Sequence, residues 1–391
     1  MKLRQRPEDF RVDEQSDLDI SQKDLEFSLY RLEKTGLDTF TLLAYLSKRL
    51  GVPYKEFGVA GLKDRHAITV QNITIPSRYK VTSVNEQNFK LEHIGYLAKA
   101  IDIGDLKGNK FEITVRDLRK EDLQGVPERS RDLETQGVPN YFDSQRFGSV
   151  IHGEFIARHV IQGDLERAVK VFLTVFTHSE KAAIKKDKKA LLDNWVKLEN
   201  VRPATGILAK VVDVYKTTKD WACAFRAIPH NLRELYMSAY QSYIWNECVK
   251  TVIQDKVRRE RLFIVRYDLG ELIFFKKIEP YELDAIPKTF KTVSHKVDPS
   301  PYEGQVLDEV LKREGISFSD LNVKKRTGYF FKVYDREIVV RPGGLKISDP
   351  LIDELNDRPA KGGGNRFKVV LSFALQKGSY ATIMTKKVFR K

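Results

Sequence analysis

The chain has 391 residues, with 68 Lys and Arg against 54 Asp and Glu, a formal charge of +14 at neutral pH. An excess of that size favours a polyanion such as nucleic acid over an acidic small molecule, through counterion release and electrostatic steering. Hydrophobic residues at 41% suit globular domains, about two at this length, and no run approaches the roughly 18 apolar residues that a membrane span requires.

The N-terminal stretch, Met1 to Arg11, is basic and then acidic, without the apolar core or small-residue cleavage site of a secretion signal. Alternation of Phe27 and Leu29 against Ser28 and Tyr30 predicts a half-buried strand over 26–32. After Gly36, Asp38 or Thr39 caps a predicted helix whose apolar positions Phe40, Leu43, Leu46 and Leu50 share a face, and Gly51 with Pro53 stops it. A loop containing Gly58 and Gly61 leads into the β-branched run 67–75, a strand ended by Pro76, so the GLKDRHA segment lies in a loop just before a strand. Phe111, Ile113 and Val115 alternate with Glu112, Thr114 and Arg116, a one-face-buried strand preceded by the turn-like Lys107-Gly108-Asn109.

From about residue 140 the periodicity turns helical, around 154–172, 181–198 and 232–257, with strand-like runs at 272–278 and 329–340. In the 232–257 helix Tyr236, Tyr240, Ile244 and Cys248 line one packing face, which makes Cys248 a buried structural thiol. After Gly362-Gly363-Gly364, Phe367, Val369, Leu371 and Phe373 alternate with Lys368 and Ser372, another strand. Strand-like ends around a helix-rich middle suggest one domain inserted into another. Cys223 and Cys248 are too few for a disulfide scaffold, a Cys-rich zinc site or an iron–sulfur cluster, so a reducing, cytoplasmic setting is expected. The seven His residues show no metal-ligand spacing. Two basic clusters, Lys181 to Lys189 and Lys324 to Arg326, could meet phosphates or form solvated faces. The 16 Tyr and 22 Phe would suit unstacked bases, although most belong in cores.

Six segments go beyond composition: PEDFRVDE at 7–14, FGVAGLKDRHAITVQ at 57–71, LKGNKF at 106–111, NYFDSQRFG at 140–148, AYQSYIWN at 239–246 and SFALQKGSYAT at 372–382. In type and order they resemble the TruD family of tRNA pseudouridine synthases, which includes archaeal and eukaryotic members. The resemblance implies an α+β fold. A pseudouridine-synthase catalytic core, a mixed sheet flanked by helices, would comprise 1–139 with 336–391, and an inserted α/β TRUD domain would comprise 140–335.

Such an enzyme cleaves the N1–C1′ bond of uridine, turns the uracil and joins C5 to C1′, with neither cofactor nor metal, after extruding the base from its stack. The resemblance makes Asp64 the catalytic aspartate, acting as a nucleophile or by removing the C2′ proton; taken alone, an Asp in a Gly-rich loop could also cap a turn. Lys63 would lower the pKa of Asp64 or neutralise phosphate. Phe111 would stack on the uracil, or be a core residue of its strand, and Asn109 would orient Asp64 or the sugar, or form a turn. Arg4 stands where the family has a basic residue near the site, Arg for the Lys of some members. Phe373 and Leu375 would shape the pocket from the final strand. Arg146 would hold RNA or staple the two domains, and Asp143 replaces the family's usual Gly, putting negative charge near the domain junction.

The leading expectation is a uridine isomerase acting on tRNA, narrowed by the resemblance to position 13 in the D arm, with other RNAs admitted and no protein partner called for. A non-catalytic RNA-binding protein would tolerate Asp64→Asn, and a metal-dependent nuclease would fail in a chelator.

Overall fold

The computed structural model describes residues 1–177, 180–203, 206–357 and 365–390. The Gly362-Gly363-Gly364 run lies outside the described residues. The chain divides into two compact units, Met1–Val138 with Val340–Lys391, and Pro139–Val339.

The first unit is built on a sheet of β1 (Phe10–Gln15), β2 (Phe27–Thr35), β3 (Gly58–Val59), β4 (Ile68–Pro76), β5 (Val84–Glu86), β6 (Phe89–Leu97) and β7 (Gly108–Leu118) with strands Gly343–Ile347, Leu351–Ile352 and Phe367–Gln376. Its main order runs Gly343–Ile347, Phe367–Gln376, β7, β1, β4, β2, β6, β5. Strand β1 is parallel to β4 and antiparallel to β7. The sheet is therefore mixed, as an α+β core requires. Both faces of β2 are covered at its centre, where the alternation predicted one wet face: Tyr30 packs in a cluster with Leu42, Leu43 and Leu46, and Leu29 in another with Ala60, Leu97 and Ile101, leaving them 1% and 0% exposed.

Helix α1 (Thr39–Leu50) begins where expected, with the Asp38 carboxylate accepting from the Thr41 N–H, and ends at Gly51 in the left-handed region (φ 65°). Its buried arc is Thr39, Leu42, Leu43 and Leu46, and Phe40 is 53% exposed. At roughly 100° per residue Phe40 falls at the margin of that arc rather than within it. The cluster beneath α1 includes Tyr30, Leu32, Ile73 and Leu91 from β2, β4 and β6.

Strand β7 starts at Gly108, so the residues read as turn-like are already paired. A Cβ at Gly108 would collide with the Leu375 carbonyl oxygen, so glycine lets strand Phe367–Gln376 close against β7 at this point.

The second unit is helix-rich. Its longest helix, His230–Lys256, buries Tyr240, Ile244 and Cys248 as expected, and burial pushes the Cys248 thiol up. The predicted 154–172 helix is broken at Gly163 (φ 84°) into Ile156–Gln162 and Leu165–Thr174, the second capped by Asp164. Antiparallel ribbons pair Leu262–Tyr267 with Gly270–Phe275 and Thr289–Lys291 with Asp335–Glu337. The strand read over 329–340 is shorter than expected, at Asp335–Glu337 and Val339–Val340: before it the Lys332 carbonyl accepts from the Gln241 and Thr292 side chains, and the Tyr334 N–H donates to the Thr292 hydroxyl. Among the described residues no helix is long and apolar enough to cross a membrane.

Candidate active site

Three neighbouring elements hold the loop that carries Asp64 just before β4. Lys34, at an inward-facing position near the end of β2, donates to the carbonyls of Leu37 (2.8 Å), Asp64 (2.9 Å) and Lys63 (3.4 Å). The Thr39 hydroxyl, at the start of α1, accepts from the Lys63 N–H at 3.3 Å. The Lys63 ammonium reaches Glu14 on β1 at 2.6 Å, with the two side chains 6% and 1% exposed. Lys63 thus points away from Asp64 into a buried ion pair, a difference from the expectation that it would pair with Asp64 or a phosphate. Neighbouring residues of an extended segment project oppositely, and the Glu14 carboxylate lies on Lys63's side.

The cation at Asp64 is Arg4, whose Nη2 lies 2.9 Å from Oδ2, with the two side chains 24% and 23% exposed. Arg4 has a left-handed backbone (φ 56°), uncommon for a residue with a side chain, and its guanidinium lies over the Phe10 ring at 4.0 Å. Several bonds fix this segment. Lys2 and Arg116 exchange backbone hydrogen bonds of 2.8 and 2.9 Å. Arg116 on β7 donates to Asp9 (2.8 Å), Asp353 (2.9 Å) and Glu354 (3.1 Å), and Asp9 and Asp353 are 2% and 0% exposed. The Asp353 carboxyl is held below its usual range: burial pushes it up, but the Asp117 N–H, Asn356, the Leu355 N–H and Arg116 outweigh that by bonding the anion.

The sheet face beside this pair is set by register. Opposed residues of adjacent strands share a face, which gives the rows Glu14–Asn109–Leu375 and Val12–Phe111–Phe373 across β1, β7 and strand Phe367–Gln376. The Phe111 ring meets Phe10 edge to face (6.1 Å) and Phe373 at a tilt (5.7 Å), and it is 7% exposed. Asn109 therefore shares the Phe111 face, and its Oδ1 is buried without a hydrogen-bond donor among the described residues. Asp64, Arg4, Lys63, Asn109, Phe111 and Phe373 are thereby linked by contacts within one unit.

Arg146 belongs to the other unit. Its guanidinium donates to Ser242 (3.0 Å) and to the Ser238 carbonyl (3.5 Å) and lies 5.7 Å from the Phe142 ring. Asp143 is 4% exposed and caps the turn Ser144–Phe147 by accepting from the Ser144 N–H. Asn246 clasps Phe142, accepting from its N–H and donating to its carbonyl, both at 2.8 Å, so the NYFDSQRFG and AYQSYIWN segments lock each other together. Within the basic clusters, Lys188 turns inward to Glu180 and the Val175 carbonyl, and Arg326 donates to the Ile161 and Asp320 carbonyls.

A carboxylate aimed by a guanidinium beside a group of aromatic rings can act on a sugar while a ring supports the base. Among the described residues no group of three or more His, Cys, Asp and Glu is placed to hold a metal ion. Sequence reasoning missed Lys34, Glu14 and the Asp9–Arg116–Asp353 network as individual residues. The signal for Lys34 was a lysine in phase with the inward-facing Tyr30 and Leu32.

The family model for tRNA pseudouridine synthase D (TruD) matches residues 1–388. A curated Methanocaldococcus jannaschii protein named "Probable tRNA pseudouridine synthase D 2" is 40% identical over 400 residues, covering 100% of this chain and 92% of that one. The tRNA pseudouridine synthase D of Aquifex aeolicus is 28% identical, covering 100% and 98% respectively. A crystal structure of a Methanosarcina mazei protein assigned to the same synthase is similar with a TM-score of 0.72 and 27% identity, covering 100% of this chain and 93% of that one. The chain belongs to the TruD family of tRNA pseudouridine synthases.

Proposed function

We propose that this protein, a tRNA pseudouridine synthase by family, isomerises the uridine at position 13 in the D arm, with Asp64 as the carboxylate that acts at the sugar. The position is what the resemblance of the motif segments implies; the observation that supports the role of Asp64 is the Arg4–Asp64 pair, 2.9 Å long, beside the Phe10, Phe111 and Phe373 rings. In this reading the target uridine is flipped from its stack and its uracil lies against Phe111. Asp64 attacks C1′ or removes the C2′ proton, and Arg4 fixes the direction of its carboxylate. Asn109, whose Oδ1 lacks a donor among the described residues, accepts from a group of the nucleotide. Lys63 works through Glu14, Phe373 shapes the pocket, and Arg146, on the other unit, holds RNA. Residues 1–139 with 336–391 form the catalytic domain and 140–335 the inserted TRUD domain. The enzyme is cytoplasmic and uses no cofactor, and its substrates extend to other RNAs besides tRNA.

The test incubates unmodified tRNA transcripts with wild type or Asp64→Asn and maps pseudouridine by carbodiimide-based primer extension. A D-arm stop with wild type, absent with an Asp64→Asn protein that still binds RNA, is the expected result. A stop elsewhere overturns the position, and undiminished product with Asp64→Asn overturns the role of Asp64.

A further inference from the structure

Lys34 is 0% exposed, and among the described residues it forms no ion pair. Its ammonium instead has three carbonyl oxygens as partners, those of Leu37, Lys63 and Asp64 at 2.8, 3.4 and 2.9 Å. Burying a cation among peptide dipoles is costly, and methionine would fill much the same volume without that cost. What methionine lacks is three divergent donors on one atom. The three carbonyls belong to different pieces of the fold: Leu37 lies in the turn before α1, and Lys63 and Asp64 lie in the loop before β4. The Thr39 hydroxyl, two residues beyond Leu37, contacts the same Lys63 peptide from α1. The other charged groups that act on Lys34 are Asp38 and Asp64, which favour its cation, and Lys63, which opposes it.

We propose that Lys34 is a positioning residue for Asp64: its ammonium sets the path of the 63–64 backbone, and so the point from which the Asp64 side chain meets Arg4 and substrate. The inference rests on Asp64 being the catalytic carboxylate. Arg4 pairs with the carboxylate, and Lys34 anchors the main chain that carries it. Neither the motif segments nor the net charge assigns this role. Because Lys34 has no route to the substrate except through Asp64, removing it should slow chemistry and leave RNA binding alone. A misplacement of the order of 1 Å at a reacting group costs about 100-fold in rate.

The experiment compares wild type, Lys34→Met, Lys34→Arg and Asp64→Asn. It measures the single-turnover rate of pseudouridine formation on a tRNA transcript, the Kd for that transcript by filter binding, and the melting temperature. Lys34→Met should lower the rate by about 10- to 100-fold with Kd within about threefold of wild type, measured well below its melting temperature. Lys34→Arg keeps a cation but cannot aim one atom at three carbonyls, so it should fold and still be slow. A wild-type rate in folded Lys34→Met overturns the proposal. If Lys34→Met does not fold, a wild-type rate in Lys34→Arg overturns it instead, since the residue then serves stability alone. Undiminished product with Asp64→Asn is a different failure, that of the Asp64 assignment, and is read from a different variant.

Discussion

Glu14→Gln tests how the Asp64 loop is tied to the sheet. Glu14 and Lys63 are 2.6 Å apart, 1% and 6% exposed, and Glu14 also accepts from the Asn72 N–H at 3.2 Å. At an effective dielectric near 20 their attraction is about 6 kcal/mol, much of it offset by the desolvation of both charges. Removing one partner leaves the other charge buried and alone, which typically costs about 3–5 kcal/mol. Glutamine keeps one oxygen, which can still accept from the Lys63 ammonium but leaves its NH2 facing the Asn72 N–H, so a loss of at least about 3 kcal/mol is expected. For a unit of about 190 residues that corresponds to a fall in Tm of roughly 6–12 °C. Combining Glu14→Gln with Lys63→Met removes the stranded cation and should bring stability back to within about 1 kcal/mol of wild type. Scanning calorimetry of the four members of the cycle measures this. A single variant that melts with wild type, or a double variant no more stable than the single, would refute the reasoning.

Phe111→Ala should reduce single-turnover rate by more than it reduces tRNA affinity; equal losses would mark Phe111 as a core or general binding residue. Arg4→Lys keeps the charge at Asp64 but loses the planar stacking on Phe10, so its rate should lie between wild type and Arg4→Ala, and a Lys variant as slow as Ala would contradict the pairing. The depressed Asp353 carboxyl contributes stability that is present above its ordinary value of 3.8 and lost as pH falls through and below it, and an acid melt of Asp353→Asn should lack this component. Burial, opposed by Asp38 and Asp64, holds the Lys34 ammonium down at about 8, against 10.5 unfolded. The unfolded chain therefore binds the extra proton between those values. Wild type should gain stability relative to Lys34→Met as pH rises from about 8 to 10.5, and a difference independent of pH would contradict that sign.

Much of the core was legible from local pattern. The loop before β4 followed from Gly58, Gly61 and the β-branched run, and α1 from Asp38 and Gly51. Phe111 could be placed on a strand because alternation with Glu112 and Thr114 is a local signal. Relations between distant segments were not legible. Lys63 was expected at Asp64 because the two are adjacent in sequence, and the partner that claimed it, Glu14, is close only after β1 and β4 pair. Lys34 fell outside the predicted strand over 26–32 and drew no notice, since nothing local reveals three carbonyls converging on it. Arg4 was assigned by resemblance alone, and its left-handed backbone depends on the Asp9–Arg116–Asp353 network, which draws on residues more than 200 apart in the chain. Phe40 was read as buried because its spacing fitted a helix face whose centre only the sheet defines.

The aromatic group at the site has a consequence for the order of events during synthesis. Phe111 is translated before residues 139–339, and its neighbour Phe373 after them. At roughly 5–20 residues per second the intervening 200 or so residues take about 10–40 s. Throughout that interval the outer edge of β7 has no strand beside it and the ring of Phe111 lacks one wall, a state prone to adventitious strand pairing. If Phe111 is the platform for a base, as proposed above, that platform is complete only once strand Phe367–Gln376 has emerged from the ribosome.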